Sequence, residues 1–200
     1  MTSWQRHRDR GVAALESRDY REAIDAFTDA LKGAKLAQES DAVATLLARR
    51  SAAFLEGGMP EEARRDAEEL VRARPGSVKG LNALGAALMG LKEWEAAEAA
   101  LAKAESLGSS DPGLLKNLKQ ARYMLAKDYG NSAFKDKSFD EAIQHYSVAL
   151  SLDPDNPDTH LVLSNRSASH CSLGRYEEAR ADAEAAVRRA REWPKAHARL

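Results

Sequence analysis

Apolar and small residues recur along this chain at helical spacing, with charged residues between them. Ile24, Phe27 and Leu31 make one stripe, and Leu114, Leu115, Leu118, Ala121, Met124 and Leu125 make another. Steps of three and four place each set on one face of a helix. No β-branched run is long enough for a strand, so the pattern predicts an all-α chain. A second register, of small residues, overlies the first. Ala23, Ala63, Ala97, Ala142 and Ala179 are each preceded, three residues earlier, by Tyr20, Pro60, Trp94, Phe139 and Tyr176. Twelve residues before each stands Gly11, Ser51, Gly85, Gly130 or Ser167. A small residue on each of two successive helices lets the pair approach closely, where a large side chain would hold them apart.

The stretch from Lys127 to Asp153, followed by Pro154, displays the register most fully: Gly130, Ala142, Tyr146, Ala149 and then the proline. Glycine, alanine, a large residue, alanine and proline resemble the tetratricopeptide (TPR) pattern, whose unit is about 34 residues. Ala63 and Ala97 are 34 apart. The spacings of 40 and 37, from Ala23 to Ala63 and from Ala142 to Ala179, imply inserted loops. The spacing of 45 from Ala97 to Ala142 separates two halves. The resemblance implies a TPR α-solenoid, a right-handed superhelix of antiparallel helix pairs. The first set is expected over 1–122, with repeats at about 4–37, 44–77 and 78–111 and a capping helix over about 112–122. The second is expected over 123–200, with repeats at about 123–156 and 160–193 and a truncated third from 194.

Local signals mark the joints. Asp19 with Glu22, and Ser138 with Glu141, have capping-box spacing. Gly57-Gly58 and Pro60 form the inner turn of the second repeat, Pro75-Gly76 closes it, and Gly174 marks the turn of the fifth. Asp111-Pro112 reads as an N-cap and first helical residue, and Asp158 as a cap for the helix after it. Between Leu114 and Tyr129 there are two readings: one helix running into the fourth repeat, or a kink near Tyr123. The repeat opening at Pro194 breaks off at Leu200. The chain is therefore expected to be a piece of a longer protein, the alternative being a partner that covers that face.

Composition narrows the function. Net charge is −1, which gives no general attraction to nucleic acid or anionic lipid. No apolar run approaches bilayer length, and the charged start MTSWQRHRDRG lacks the apolar core of a secretory signal. The single cysteine, Cys171, fits a reducing compartment and is expected as a small core residue. A cytoplasmic location follows as an expectation. His7, His145, His160, His170 and His197 show no metal-ligand spacing, and no glycine-rich phosphate loop is present. No catalytic set emerges, so a non-enzymatic chain without cofactor, metal or small-molecule substrate is expected.

In such a stack the first helix of each pair lines the concave face. In the second half those helices carry Lys127 and Asn131, then Asn165, then Lys195 and Arg199. Residues four apart share a helix face. Three cations and two amides thus point to one groove, with no acid among them. A C-terminal aspartate offers two adjacent carboxylates, which need several donors and positive charge.

The motifs KDYGN, SNRSA and WPKAHAR around these residues resemble the carboxylate-clamp TPR domains of heat-shock co-chaperones, the Hop/Sti1-type adaptors above all. The resemblance implies that Lys127, Asn131 and Asn165 hold the terminal carboxylate of a Glu-Glu-Val-Asp tail. It implies that Lys195 meets the aspartate side chain or carboxylate, and Arg199 the upstream peptide. The partners implied are the C-terminal tails of the heat-shock protein 70 and heat-shock protein 90 chaperones. The corresponding positions in the first half are Arg8, Val12, Arg49, Lys79 and Ala83. The groove there stays basic through Arg8, Arg49 and Lys79 but lacks both amides. Two other readings remain open: a general TPR scaffold for internal segments, and the TPR part of a larger enzyme or import receptor.

Overall fold

The computed structural model describes the backbone of residues 1–197 and the side chains of residues 1–190. Among them the regular structure is helical throughout: α1 (Ser3–Glu16), α2 (Tyr20–Leu36), α3 (Ser40–Glu56), α4 (Pro60–Ala73), α5 (Val78–Gly90), α6 (Trp94–Ser106), α7 (Pro112–Lys135), α8 (Phe139–Leu152), α9 (Thr159–Ser172) and α10 (Tyr176–His197). The fold is an all-α solenoid of antiparallel helix pairs. The chain divides into two compact units, Met1–Leu118 and Lys119–Leu200. The boundary expected at residue 122 lies one turn further along α7. In the first unit α1 to α6 each pack on the next, and Leu114 and Leu118 at the start of α7 are buried. In the second, Tyr123, Ala126 and Ala133 of α7 form a core with Ala142, Tyr146 and Ala149 of α8 and Val162 of α9. The helical assignment continues through Tyr123, from Pro112 to Lys135.

The small-residue register works by close helix contact. A Cβ built on Gly130 would lie 2.6 Å from ring carbons of Tyr146, and one on Gly11 would lie 2.7 Å from the Phe27 ring. Gly85 faces Leu101 in the same way. In each case the large partner stands sixteen residues later. At Ser51 and Ser167 the size order reverses, since the residues sixteen later are Ala67 and Ala183. There the hydroxyl ties the pair together. Ser51 Oγ donates to the Ala63 carbonyl at 2.9 Å, and Ser167 Oγ to the Ala179 carbonyl at 2.7 Å.

A second device recurs beside those serines. Arg50 grips Asp66 through two hydrogen bonds of 2.7 and 2.8 Å and reaches Thr28 Oγ1 at 2.9 Å. Arg166 grips Asp182 through two of 2.7 Å and reaches Ser147 Oγ at 2.9 Å. Each arginine fastens the second helix of its own pair to the second helix of the preceding pair. Bidentate arginine–carboxylate pairing fixes direction as well as distance. The turns inside the pairs repeat too. Arg18, Gly58, Lys92, Lys137 and Gly174 all adopt positive φ, each two residues before the second helix begins.

Several expectations need correction. Ser138 occupies the N-cap of α8 but makes no side-chain cap bond. Asp19 does cap α2, accepting from the Glu22 N–H at 3.0 Å, while the Glu22 carboxylate turns away to Arg10. Cys171 is exposed rather than in the core. The inward face of α9 is taken by Val162, Arg166 and Ser169, and Cys171 lies off that face. At Pro194 no new helix opens, because α10 continues to His197. A proline inside a helix forfeits one backbone hydrogen bond, which can bend a helix without ending it.

The Gly130 contact yields a stability prediction. Gly130→Val should lower unfolding free energy by about 1–3 kcal/mol in chemical denaturation, the usual magnitude of overpacking. Gly76→Ala, where nothing lies within 4 Å of the added carbon, should stay within about 0.5 kcal/mol of the parent chain.

Candidate functional site

Tyr123, Lys127 and Asn131 follow one another at intervals of four along α7 and so share a face. Asn165 comes to them from α9. Its Nδ2 donates to Asn131 Oδ1 at 3.1 Å, and the Tyr146 hydroxyl donates to the same oxygen at 2.9 Å. A carboxamide oxygen has two lone pairs, and these two donors fill both. The amide orientation of Asn131 is thereby set, leaving its NH2 group as a donor pair. Burial pushes the Tyr146 hydroxyl upward, partly offset by a hydrogen bond with Asn165, so it remains a neutral donor. Burial also pushes Tyr123 up to about 12, with the negative charge of Asp158 adding to it.

Lys127 has a partner that sequence reading did not foresee. Its Nζ donates to Asp158 Oδ2 at 2.6 Å, with the lysine side chain 15% exposed. Asp158 is the N-cap residue of α9, as expected, but its side chain makes no cap hydrogen bond. The loop that carries it is tied to α7 at two further points. Asp153 takes Lys119 at 2.6 Å, and Asn156 Nδ2 donates to Gln120 Oε1 at 3.2 Å. Partial burial would raise the Asp153 carboxyl, but hydrogen bonds from Lys119 and Asn156 outweigh it and hold the group below the usual carboxylate range.

The structure therefore brings Lys127, Asn131 and Asn165 together on α7 and α9. Lys195 falls on α10 rather than on a further helix of its own, and its side chain lies outside the described residues. Arg199 lies outside them altogether. In the first unit Arg8 pairs with its neighbour Asp9 at 2.7 Å and sits 5.9 Å over the Trp4 ring. Arg49 is exposed. Lys79 lines a cavity of about 280 Å³ with Ser51, Asn82, Ala83 and other small residues of α3 and α5, and neither Arg8 nor Arg49 reaches it.

A cavity of about 580 Å³ in the second unit is lined by Arg166, Arg188 and Arg189, among others, and by none of Lys127, Asn131 and Asn165. Those arginines already meet Asp182, Glu184 and Asp155. Among the described residues no group of three or more His, Cys, Asp or Glu could hold a metal ion. No helix among them is long and apolar enough to cross a membrane.

Sequence reading missed the Tyr146 hydroxyl, the Asp158 carboxylate and the two arginine interlocks. Signals existed for the tyrosine and for the interlocks. Tyr146 stands where the first repeat has Phe27, and the asparagine it orients stands where that repeat has Val12. Arg50 and Asp66 have the same offset as Arg166 and Asp182. Asp158 lies in a loop already marked as inserted by the long spacing.

Comparison with known proteins finds repeats in two stretches of the chain. A tetratricopeptide-repeat family model matches residues 48–112, and a TPR repeat model matches residues 130–163. The MamA protein structure covers 96% of this chain and 94% of its own at 21% identity, with a TM-score of 0.59. The TPR2AB-domain:pHSP90 complex of yeast Sti1 covers 93% and 77% at 20% identity, TM-score 0.50. Both share the fold. The Sgt2 TPR domain from Aspergillus fumigatus is 28% identical over 64% of this chain and 82% of its own, TM-score 0.54.

Both matched stretches are tetratricopeptide repeats. Within that class the chain resembles the Hsp70-Hsp90 organizing proteins. That of Triticum aestivum is 45% identical over 75 residues, 38% of this chain and 12% of the relative. Hsp70-Hsp90 organizing protein 2 of Arabidopsis thaliana is 43% identical over 70 residues, 35% of this chain and 12% of the relative. The match thus spans a small part of each relative's length.

If the Tyr146 hydroxyl orients Asn131, Tyr146→Phe should lower stability by about 1 kcal/mol, as for one hydrogen bond. It should also move the side-chain amide resonances of Asn131 in an NMR spectrum. Unmoved resonances would count against that role.

Proposed function

We propose that the second unit holds the C-terminal carboxylate of an acidic tail of the Glu-Glu-Val-Asp type. On this reading the chain is a non-enzymatic co-chaperone adaptor of the cytoplasm. Its partners are the tails of heat-shock protein 70 or heat-shock protein 90. Lys127 supplies charge, and the amides of Asn131 and Asn165 supply donors without adding a further charge to desolvate. Lys195 is assigned to the aspartate side chain or carboxylate, and Arg199 to the peptide upstream.

One observation carries the reading. Asn131 and Asn165, thirty-four residues apart, are hydrogen-bonded to each other, and Lys127 stands one turn before Asn131 on α7. Asn131 has both its acceptor positions filled from inside the protein. That leaves N–H groups to offer, which suits a carboxylate. The resemblance to organizing proteins named for both chaperones, and the fold shared with a Sti1 domain solved with a pHSP90 partner, support the same choice.

A second reading, a TPR scaffold for internal peptide segments, is favoured by the in-chain pairing of Lys127 with Asp158. The first unit fits it better. It has no equivalent of Asn131, because Val12 stands at that position of its first repeat. We assign its basic residues Arg8, Arg49 and Lys79 to acidic internal segments or to scaffold duty.

Fluorescence anisotropy with a short tail peptide separates the two readings. Amidating the peptide terminus should weaken binding by about 2–5 kcal/mol, as should Lys127→Ala, the range for breaking one side of a desolvated charge pair. Raising salt should weaken it further. Equal affinity for acid and amide would leave the scaffold reading standing.

A further inference from the structure

Asp158 departs from the usual behaviour of an aspartate in its position. At a helix N-cap the carboxylate ordinarily accepts from a backbone N–H two or three residues on. Here it turns from α9 and lies on Lys127, 2.6 Å from Nζ, while remaining 41% exposed itself. It is held in that place. Its backbone N–H donates to Asn156 Oδ1 at 3.1 Å, and Asn156 is buried. Asn156 in turn holds Gln120 of α7 and Asp153 at 3.2 and 3.0 Å. With the Asp153–Lys119 pair, the 153–158 loop is strapped along one face of α7. The strap presents a carboxylate to the lysine that the proposed function reserves for a ligand carboxylate. The loop belongs to the stretch that lengthens the Ala142 to Ala179 spacing to 37.

Resting on that functional reading, we propose that Asp158 is an internal occupant of the Lys127 subsite, which an incoming chain terminus must displace. The displaced side chain has a second home. The first N–H groups of α9 lack a side-chain cap, and a freed Asp158 carboxylate supplies one. The loop therefore has two arrangements of similar chemistry, one closed on Lys127 and one capping α9. A ligand shifts the balance between them only by binding the second better. The affinity of the site is set by this competition. A ligand with a free terminal carboxylate competes on equal chemical terms, and a neutral terminus does not.

Asp158→Asn tests this with two readouts on the full chain. The substitution keeps the size and capping ability of the side chain and removes its charge. Without ligand, acylation of the Lys127 amine by acetic anhydride, followed by peptide mass spectrometry, should rise several-fold, with Lys119 as an internal reference. With ligand, affinity for a free-acid Glu-Glu-Val-Asp peptide should increase about 5-fold, the scale of one partly exposed ion pair. Asp158→Ser serves as a second variant should the first fail to fold. An unchanged acylation rate overturns the proposal. So does a wild-type chain that binds the peptide while Asp158→Asn binds it no better. Absence of binding by both proteins instead overturns the functional reading, and this proposal falls with it.

Discussion

The structure depends on one contact made repeatedly: a small residue on the first helix of a pair against the residue sixteen positions later on the second. Gly130 receives the ring of Tyr146, Gly11 that of Phe27, and Gly85 the side chain of Leu101. Once backbone and ring are this close, the crossing of the two helices is fixed, and with it the direction in which the neighbouring residue points. Interiors are packed too densely to absorb an added carbon without a shift. The serine positions reach the same approach by a hydroxyl-to-carbonyl bond, with the large and small partners exchanged.

The same contact builds the candidate site. The tyrosine that fills the space over Gly130 ends in a hydroxyl, and that hydroxyl holds Asn131, the next residue along α7. Helix packing and the orientation of Asn131 are therefore one arrangement seen from two sides. The first unit shows what happens when the polar part is removed. Phe27 fills the space over Gly11 equally well, and Val12 stands in place of the asparagine. A repeat can keep its fold while losing this chemistry, because the fold needs only the ring.

Much of this was legible in the sequence. Helix periodicity, the recurrent alanines and the glycine or serine twelve residues earlier defined the pairs, because steric fit leaves a mark on residue size. Lys127, Asn131 and Asn165 were legible as residue types at helical spacing on first helices. Hydrogen-bond direction left weaker marks. Nothing in the local sequence says that Asp158 prefers Lys127 to its own helix, since that choice depends on where the 153–158 loop is tied to α7. Cys171 was misplaced because alternating small residues on α9 do not distinguish its inner face, which an arginine occupies to reach Asp182. The break expected at Pro194 is absent, because a proline disfavours a helix without having to end it.

The central claim is that the Gly130 contact and its hydrogen bonds aim Lys127, Asn131 and Asn165 at one carboxylate. Its most direct test is a crystal structure of the chain with a bound Glu-Glu-Val-Asp peptide. The account predicts the terminal carboxylate within hydrogen-bond distance of Lys127 Nζ and of the Asn131 and Asn165 amide nitrogens, with Asp158 withdrawn. A peptide seated elsewhere, with the Lys127–Asp158 pair intact, would contradict it.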